Sequence, residues 1–357
     1  MNSEQKDLSS KDTGMCPHGN FPATCAVCKE QREQQPALKM VDKLVAESKY
    51  SRSNVDSPNA TIERDGQKFS IEAIESRENK DLNKVQKLLV DTFGKEEVDP
   101  VAVLKAAVEG KTSWNTEDIT KYAITVLKDE KGKVQSMIGG GLLELQKDGK
   151  PTGEATFMIG YAVTSKDARQ GGLAREAYVS ALLKASQEAQ TRGLKLVSAS
   201  GECTGTSEKF WNSIGWKRAY GEQGDPNKLE ELKYVQPALD FSEKTGKVAK
   251  DAGVAPEHLM LDNFTDKPLT KEQALQTVEA FYRWCNQWPR EAFKSDEAYK
   301  THLSHVNEIK DKFQSQLNGL GELKMMSAAE RAAAMQSGTN VTEHKDADKN
   351  TEDKEGL

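Results

Sequence analysis

Between residues 154 and 192 the apolar pattern changes period in mid-stretch. The run EATFMIGYAVT (154–164) reads as a strand, and the run from Leu173 to about Arg192 repeats like a helix. Between them stand Arg169, Gln170, Gly171 and Gly172. A chain that leaves a strand through two adjacent glycines and enters a helix at once belongs to a mixed α/β fold. Glycine lets a backbone approach something bulky, and a helix N-terminus offers unpaired N–H groups with a partial positive charge. The pattern therefore predicts an anion, most simply a phosphate, held by the amides of Gln170, Gly171, Gly172, Leu173 and Ala174. The competing reading is a plain tight turn. No G-x-G-x-x-G is present and no G-K-[ST] follows the glycines, so the stretch is not a dinucleotide fingerprint or a Walker A loop.

The surrounding elements extend this reading. Strands are expected at 68–76, on both sides of Lys131-Gly132 within 121–146, at 193–200, at 232–241 and at 256–264. Helices are expected at 79–94, 99–110 and 206–215. Together, residues 68–266 form one α/β (α+β) domain. Ahead of it, 37–48 is an amphipathic helix, and the polar stretch after that helix reads as a linker, so 31–67 is helix and linker. Beyond it, 267–335 is a helical extension. Thr270 and Gln273 make a capping box there, and a second helix spans about 295–317. His302 and His305 on that helix read as part of a solvated face. Residues 1–14 and 336–357 are polar enough to be disordered.

The glycine stretch resembles the acetyl-CoA signature of the GNAT superfamily of N-acetyltransferases, [RQ]-x-x-G-x-[GA], met here by Arg169 to Ala174. A second family motif follows at the right distance: LKLVSAS, then SEKFWNSIGW with Phe210, Trp211, Gly215 and Trp216. The resemblance covers about 68–266. It implies a mixed, mostly antiparallel central sheet flanked by helices, and acetyl transfer from acetyl-CoA to an amine within a ternary complex. It also implies that pantetheine runs along Phe157–Val163, with oxyanion-polarising amides near Tyr161, Ala162 and Val163. Glu154 and Glu202 are the candidate bases. Many family members carry an acidic tyrosine where this chain has Trp211, which cannot protonate a thiolate. Tyr161, Tyr220 or Tyr234 would substitute, or the thiolate leaves unaided. An inert CoA-binding or CoA-sensing scaffold is the alternative function. Cys203 and the aromatic residues 210, 211 and 216 read as core. The acceptor would be an amine-bearing small molecule or peptide.

Near the N-terminus, Cys16, His18, Cys25 and Cys28 have the C-x-H-x6-C-x2-C spacing of a small tetrahedral site, and 15–30 reads as a Zn2+ knuckle that docks a protein partner. The rivals are a disordered arm with reactive thiols and a redox C-x-x-C. A net charge of −6 disfavours non-specific nucleic-acid binding, leaving an RNA-associated enzyme as a weaker third reading. The opening residues lack an apolar h-region and no run of 18 apolar residues occurs, so the expectation is a cytoplasmic protein without signal peptide or membrane span.

Overall fold

The computed structural model describes residues 35–95, 98, 101–110, 119–203, 207–236, 241–248, 255–286 and 290–343. Cys16, His18, Cys25 and Cys28 lie outside them, as do the segments 1–14 and 344–357. In chain order the elements begin with helix α1 (Pro36–Ala46) and strands β1 (Ser51–Arg52), β2 (Ala60–Arg64) and β3 (Gln67–Ile74). Helices α2 (Asp81–Phe93) and α3 (Val101–Ala107) follow, then β4 (Ile119–Asp129), β5 (Val134–Lys147) and β6 (Lys150–Thr164). Next come α4 (Leu173–Thr191), β7 (Lys195–Cys203), α5 (Glu208–Ser213), β8 (Lys217–Glu222), β9 (Lys228–Glu231), β10 (Lys233–Gln236) and β11 (Ala255–Asn263). The chain ends with α6 (Lys271–Phe281), α7 (Asp296–Gly319), β12 (Leu323–Met326), α8 (Ala328–Gln336) and β13 (Asn340–Thr342).

The fold is mixed α/β, with one largely antiparallel sheet flanked by helices. Its strands run β1-β2-β3-β4-β5-β6-β7-β11-β8-β9-β13, with β10 added on β11 and β12 on β8. Among the described residues, only β6–β7 and β9–β13 pair in parallel. The β6–β7 pair is parallel because α4 carries the chain back across the sheet between them. One face packs on α4 and α1 through Leu142, Phe157, Leu182, Val41 and Leu44. The other face is shared: α2 and α3 cover one part, through Leu82, Leu89 and Leu104, and α6 and α7 cover the rest, through Val278, Phe281, Val306 and Phe313. Thr270 and Gln273 form the expected capping box at the start of α6.

Three expectations need correction. The stretch after α1 is not a linker: Arg52 and Ile62 pair across β1 and β2, and β2 pairs with β3 through a two-residue turn, Asp65-Gly66. Both turn residues have positive φ, 53° and 77°, the conformation that makes Asp-Gly a hairpin signal. The C-terminal tail is not wholly without structure either, since Asn340–Thr342 pairs with β9. The sheet therefore runs past both boundaries of the expected 68–266 domain. Finally, His302 is not on a solvated face. It is fully buried between Phe241 and Phe293, with ring centroids 4.3 and 4.9 Å away, and burial beside His305 pushes its pKa down to about 4.

The far side of the sheet is locked by a buried ionic network. Arg331 of α8 grips Glu208 of α5 with two hydrogen bonds, at 2.6 and 3.0 Å. Arg218 of β8 bonds Glu208 at 2.6 Å and reaches Glu231 at 3.4 Å, and Glu231 meets His258 Nδ1 at 2.6 Å. Each of these side chains is buried, so removing one leaves its partner with fewer charge-assisted bonds and no ready access to water in their place. Arg331→Met should cost about 3 kcal/mol of stability in urea unfolding, whereas Lys87→Ala, which breaks the exposed Lys87–Asp91 pair, should cost under about 0.5 kcal/mol. Equal effects would mean the network is not the lock described.

Candidate active site

The central feature is a place where two neighbouring strands part. β6 and β7 pair from Glu154↔Lys195 to Ile159↔Gly201, and the pairing stops there. On its other edge β6 stays bonded to β5 as far as Ser136↔Thr164. On its other edge β7 stays bonded to β11 as far as His258↔Cys203. The inner edges of 160–164 and 202–203 therefore face a gap.

The cause is one extra residue. Gly139 pairs with Tyr161 and Gly140 with Ile159, which leaves Gly160 over as a bulge in β6. A bulge bends its strand and increases its twist, here turning β6 away from β7. The run Gly139-Gly140-Gly141 in β5 is fitted to it. A Cβ on Gly140 would lie 2.1 Å from the Met158 carbonyl oxygen, which no residue but glycine permits. Gly139 and Gly141 make room on one face for two aromatic rings. A Cβ there would lie 2.7 Å from Tyr122 and 3.1 Å from Trp284 respectively.

β6 leads straight into the glycine loop. Gln170 and Gly172 both adopt left-handed backbone, at φ 62° and 91°, and Gly172 is the N-cap of α4. Among the described residues, no acceptor bonds the amides of Gly171, Gly172, Leu173 or Ala174. Arg169 turns back, and its Nε donates to the Thr164 carbonyl at 3.3 Å, so it braces the loop. The segment ahead of the domain braces it from outside. Tyr50 donates to the Gly171 carbonyl at 2.9 Å, Arg64 donates to the same oxygen at 3.3 Å, and the Tyr50 ring lies 3.6 Å from where a Gly172 Cβ would stand. Arg52 approaches buried Glu176, in the first turn of α4, at 3.8 Å and bonds Ser180 at 2.6 Å. The Asp65-Gly66 hairpin signal could have revealed this brace from the sequence.

The expected residues fall into two groups. Tyr161, Ala162 and Val163 line the gap, and Glu202 stands at its mouth on β7. Tyr234 of β10 donates a hydrogen bond to the Glu202 carboxylate, and the rings of Tyr234 and Tyr282 stack at 5.9 Å. Burial pushes the Glu202 carboxyl up to about 7, and burial together with that carboxylate raises the Tyr282 phenol. Glu154 and Tyr220 are elsewhere. Glu154 lies within β6, six residues before the bulge and so about 20 Å along the strand, in a shallow cleft with Lys39 and Lys195. Tyr220 is buried on β8, two strands from β7, and donates to Glu343 at 3.1 Å. Trp211 is a core residue packed on Phe210 and Trp216, with centroids 4.9 and 4.3 Å away. Among the described residues, no group of three or more His, Cys, Asp or Glu is arranged to hold a metal, and no helix is long and apolar enough to cross a membrane.

The ordinary carboxyl value lies below the native one, so the folded state holds a proton on Glu202 that the unfolded chain has released. The contribution of Glu202 to stability is therefore greatest at low pH and falls as pH rises from about 4.5 to about 7. Glu202→Gln should be more stable than the parent at pH 8 by about 1–3 kcal/mol and equal to it at pH 4, as read by urea unfolding at the two pH values. A loss of stability at pH 8 would mean the carboxylate is not desolvated.

No family model matches the sequence, and no curated protein matches it. Solved structures with a similar course include the ribosomal-protein-S18-alanine N-acetyltransferase from Escherichia coli, 14% identical over 56% of this chain and 96% of that one, with a TM-score of 0.31. A GNAT family N-acetyltransferase from Escherichia coli in complex with CoA is 12% identical over 55% of this chain and 81% of that one, at 0.31. A GNAT family acetyltransferase from Staphylococcus aureus is 10% identical over 55% and 99%, also at 0.31. Likenesses of that size leave the reaction to be read from this chain's own residues.

Proposed function

We propose that the chain is an acetyl-CoA-dependent N-acetyltransferase, moving an acetyl group directly to an amine. The observation that carries this reading is the gap opened by Gly160, lined by the edge of β6 beyond its last pair with β7, ending in the glycine loop and holding a carboxyl of raised pKa at its mouth. The pyrophosphate of the cosubstrate sits on the amides of Gln170 to Ala174 at the positive end of α4. Its pantetheine arm lies along the inner edge of Tyr161–Val163, as an added strand would, and the amides of that edge polarise the thioester carbonyl. Glu202, rather than Glu154, takes the proton from the incoming ammonium, directly or through a water. A carboxyl titrating near 7 suits that task, being largely ionised just above neutrality and basic enough to accept a proton. Tyr234 holds the carboxylate in place. Tyr220 has no part in the reaction, and the CoA thiolate leaves without a tyrosine acid at the Trp211 position.

A CoA-binding scaffold without turnover is the second reading, favoured by the absence of a tyrosine at residue 211. Calorimetric titration with acetyl-CoA and thiol release on an amine panel separate the two. The parent should bind and release thiol, and Gly172→Glu, folded by circular dichroism, should lose binding at least about tenfold through charge repulsion at the loop. Binding with no release on any amine would favour the scaffold, and no binding would end both readings. With turnover in hand, kcat/KM should rise with pH through about 7 and level off, since the base must lose its proton first. Glu202→Gln should lower it about 100-fold or more and flatten the rise.

The Cys16, His18, Cys25 and Cys28 arm is proposed separately to bind one structural Zn2+ and to dock a protein partner. Metal content of the purified chain, with and without Cys25→Ser, tests the ion.

A further inference from the structure

The face of the sheet at the mouth of the gap carries a second group of residues that the transfer chemistry alone does not require. Opposed partners of a parallel pair share a face, and so do alternate residues of one strand. Met158 packs toward α6 and α7 and pairs with Ser200, so Gly160 and Glu202 point to that same side. Gly160 is exposed, and the nearest group to where its Cβ would stand is the Tyr122 hydroxyl, 3.1 Å away. Trp284 stacks on the Tyr122 ring at 5.6 Å, 15° from parallel.

Trp284 belongs to a five-residue π-helical segment, Tyr282–Asn286, that continues α6. Such segments shift side chains out of helical register and recur at functional sites. Here the segment is bonded to the sheet. Arg283 donates to the Glu144 carbonyl at 2.9 Å and Tyr282 to the Val235 carbonyl at 3.0 Å. Lys147 and Glu272 add an ion pair at 2.7 Å. The extension is thus a fixed roof over β5 and β10. It sets two stacked aromatics, half-buried Trp284 and buried Tyr122, beside a glycine bulge and a carboxylate.

We propose that Tyr122, Trp284 and Glu202 form the acceptor subsite, and that it takes a small primary amine with a short apolar or aromatic body. The carboxylate receives the ammonium. The Tyr122–Trp284 pair contacts the body, and Trp284 limits its size. A polypeptide acceptor would have to run across the face that the roof covers. This inference rests on the acetyltransferase reading and adds the acceptor class and the residue that selects it.

The test is thiol release from acetyl-CoA with n-butylamine, benzylamine, 2-phenylethylamine, spermidine and a lysine-containing tetrapeptide, on the full chain and on Trp284→Ala and Trp284→Phe. The parent should prefer a monoamine. Trp284→Ala should raise KM for that amine about tenfold and move the preference to a bulkier one, with KM for acetyl-CoA within about twofold of the parent. Trp284→Phe keeps a ring and should move the same values less, which holds the test open if the alanine variant folds poorly. An unchanged ranking in both variants would overturn the role of Trp284. A tenfold preference of the parent for spermidine or the tetrapeptide would overturn the acceptor class while leaving the transferase reading intact. No thiol release by the parent on any amine would remove that reading and this inference with it.

Discussion

Everything proposed about the site depends on one unpaired residue in a strand. Gly160 adds a position to β6 that β5 cannot match, and the added twist ends the pairing between β6 and β7. Main-chain groups in a sheet interior are otherwise satisfied by their neighbours, so a gap between two central strands needs an occupant or water. The bulge has a steric condition on the next strand. Gly140 must lack a Cβ, because the Met158 carbonyl oxygen stands where that carbon would be. The flanking glycines, 139 and 141, serve a different purpose, which is to leave room for the Tyr122 and Trp284 rings against the strand.

Around this opening the chain spends its extra length on bracing. The segment before β3 grips the N-terminal turns of α4 through Tyr50, Arg52 and Arg64, and so fixes the loop that ends in Gly172. On the opposite side, Trp216 donates to Tyr178 at 3.0 Å, and Tyr178 donates to the buried Asp262 carboxyl at 3.3 Å, tying α4 to β11. The ionic network of Arg218, Glu208 and Arg331 holds α5 and α8 to the far strands. Loops that must present free amides are the least self-supporting part of a fold, and the Tyr50 and Arg64 contacts reach this one from a distant point in the chain.

Much of this was legible in the sequence where local pattern decides structure. The strands around Lys131-Gly132, the helix after Gly172 and the Thr270–Gln273 cap each follow from period or from a side chain bonding its own backbone. β8 and β9 were not legible, because their polar residues point inward. Arg218 and Glu231 are buried in the ionic network, so no apolar alternation marks those strands. Position in the fold was equally hidden. Glu154 and Tyr220 have the chemistry of candidate residues, yet strand register sets the first about 20 Å from the bulge and a hydrogen bond to Glu343 occupies the second. The partners of Glu202 and of the Gly139–Gly141 run come from Tyr234, Tyr282 and Trp284, which only the folded sheet brings near.

On the proposed function, the parted edge of β6 and the glycine loop receive one extended anionic ligand. Hydrogen–deuterium exchange of the intact chain, with and without saturating CoA, tests it residue by residue. Exchange should slow at the amides of Tyr161 to Val163 and of Gln170 to Ala174 together, with the β9–β13 pair unchanged. Protection confined to any other part of the sheet, or none at a CoA concentration that saturates binding, would contradict it.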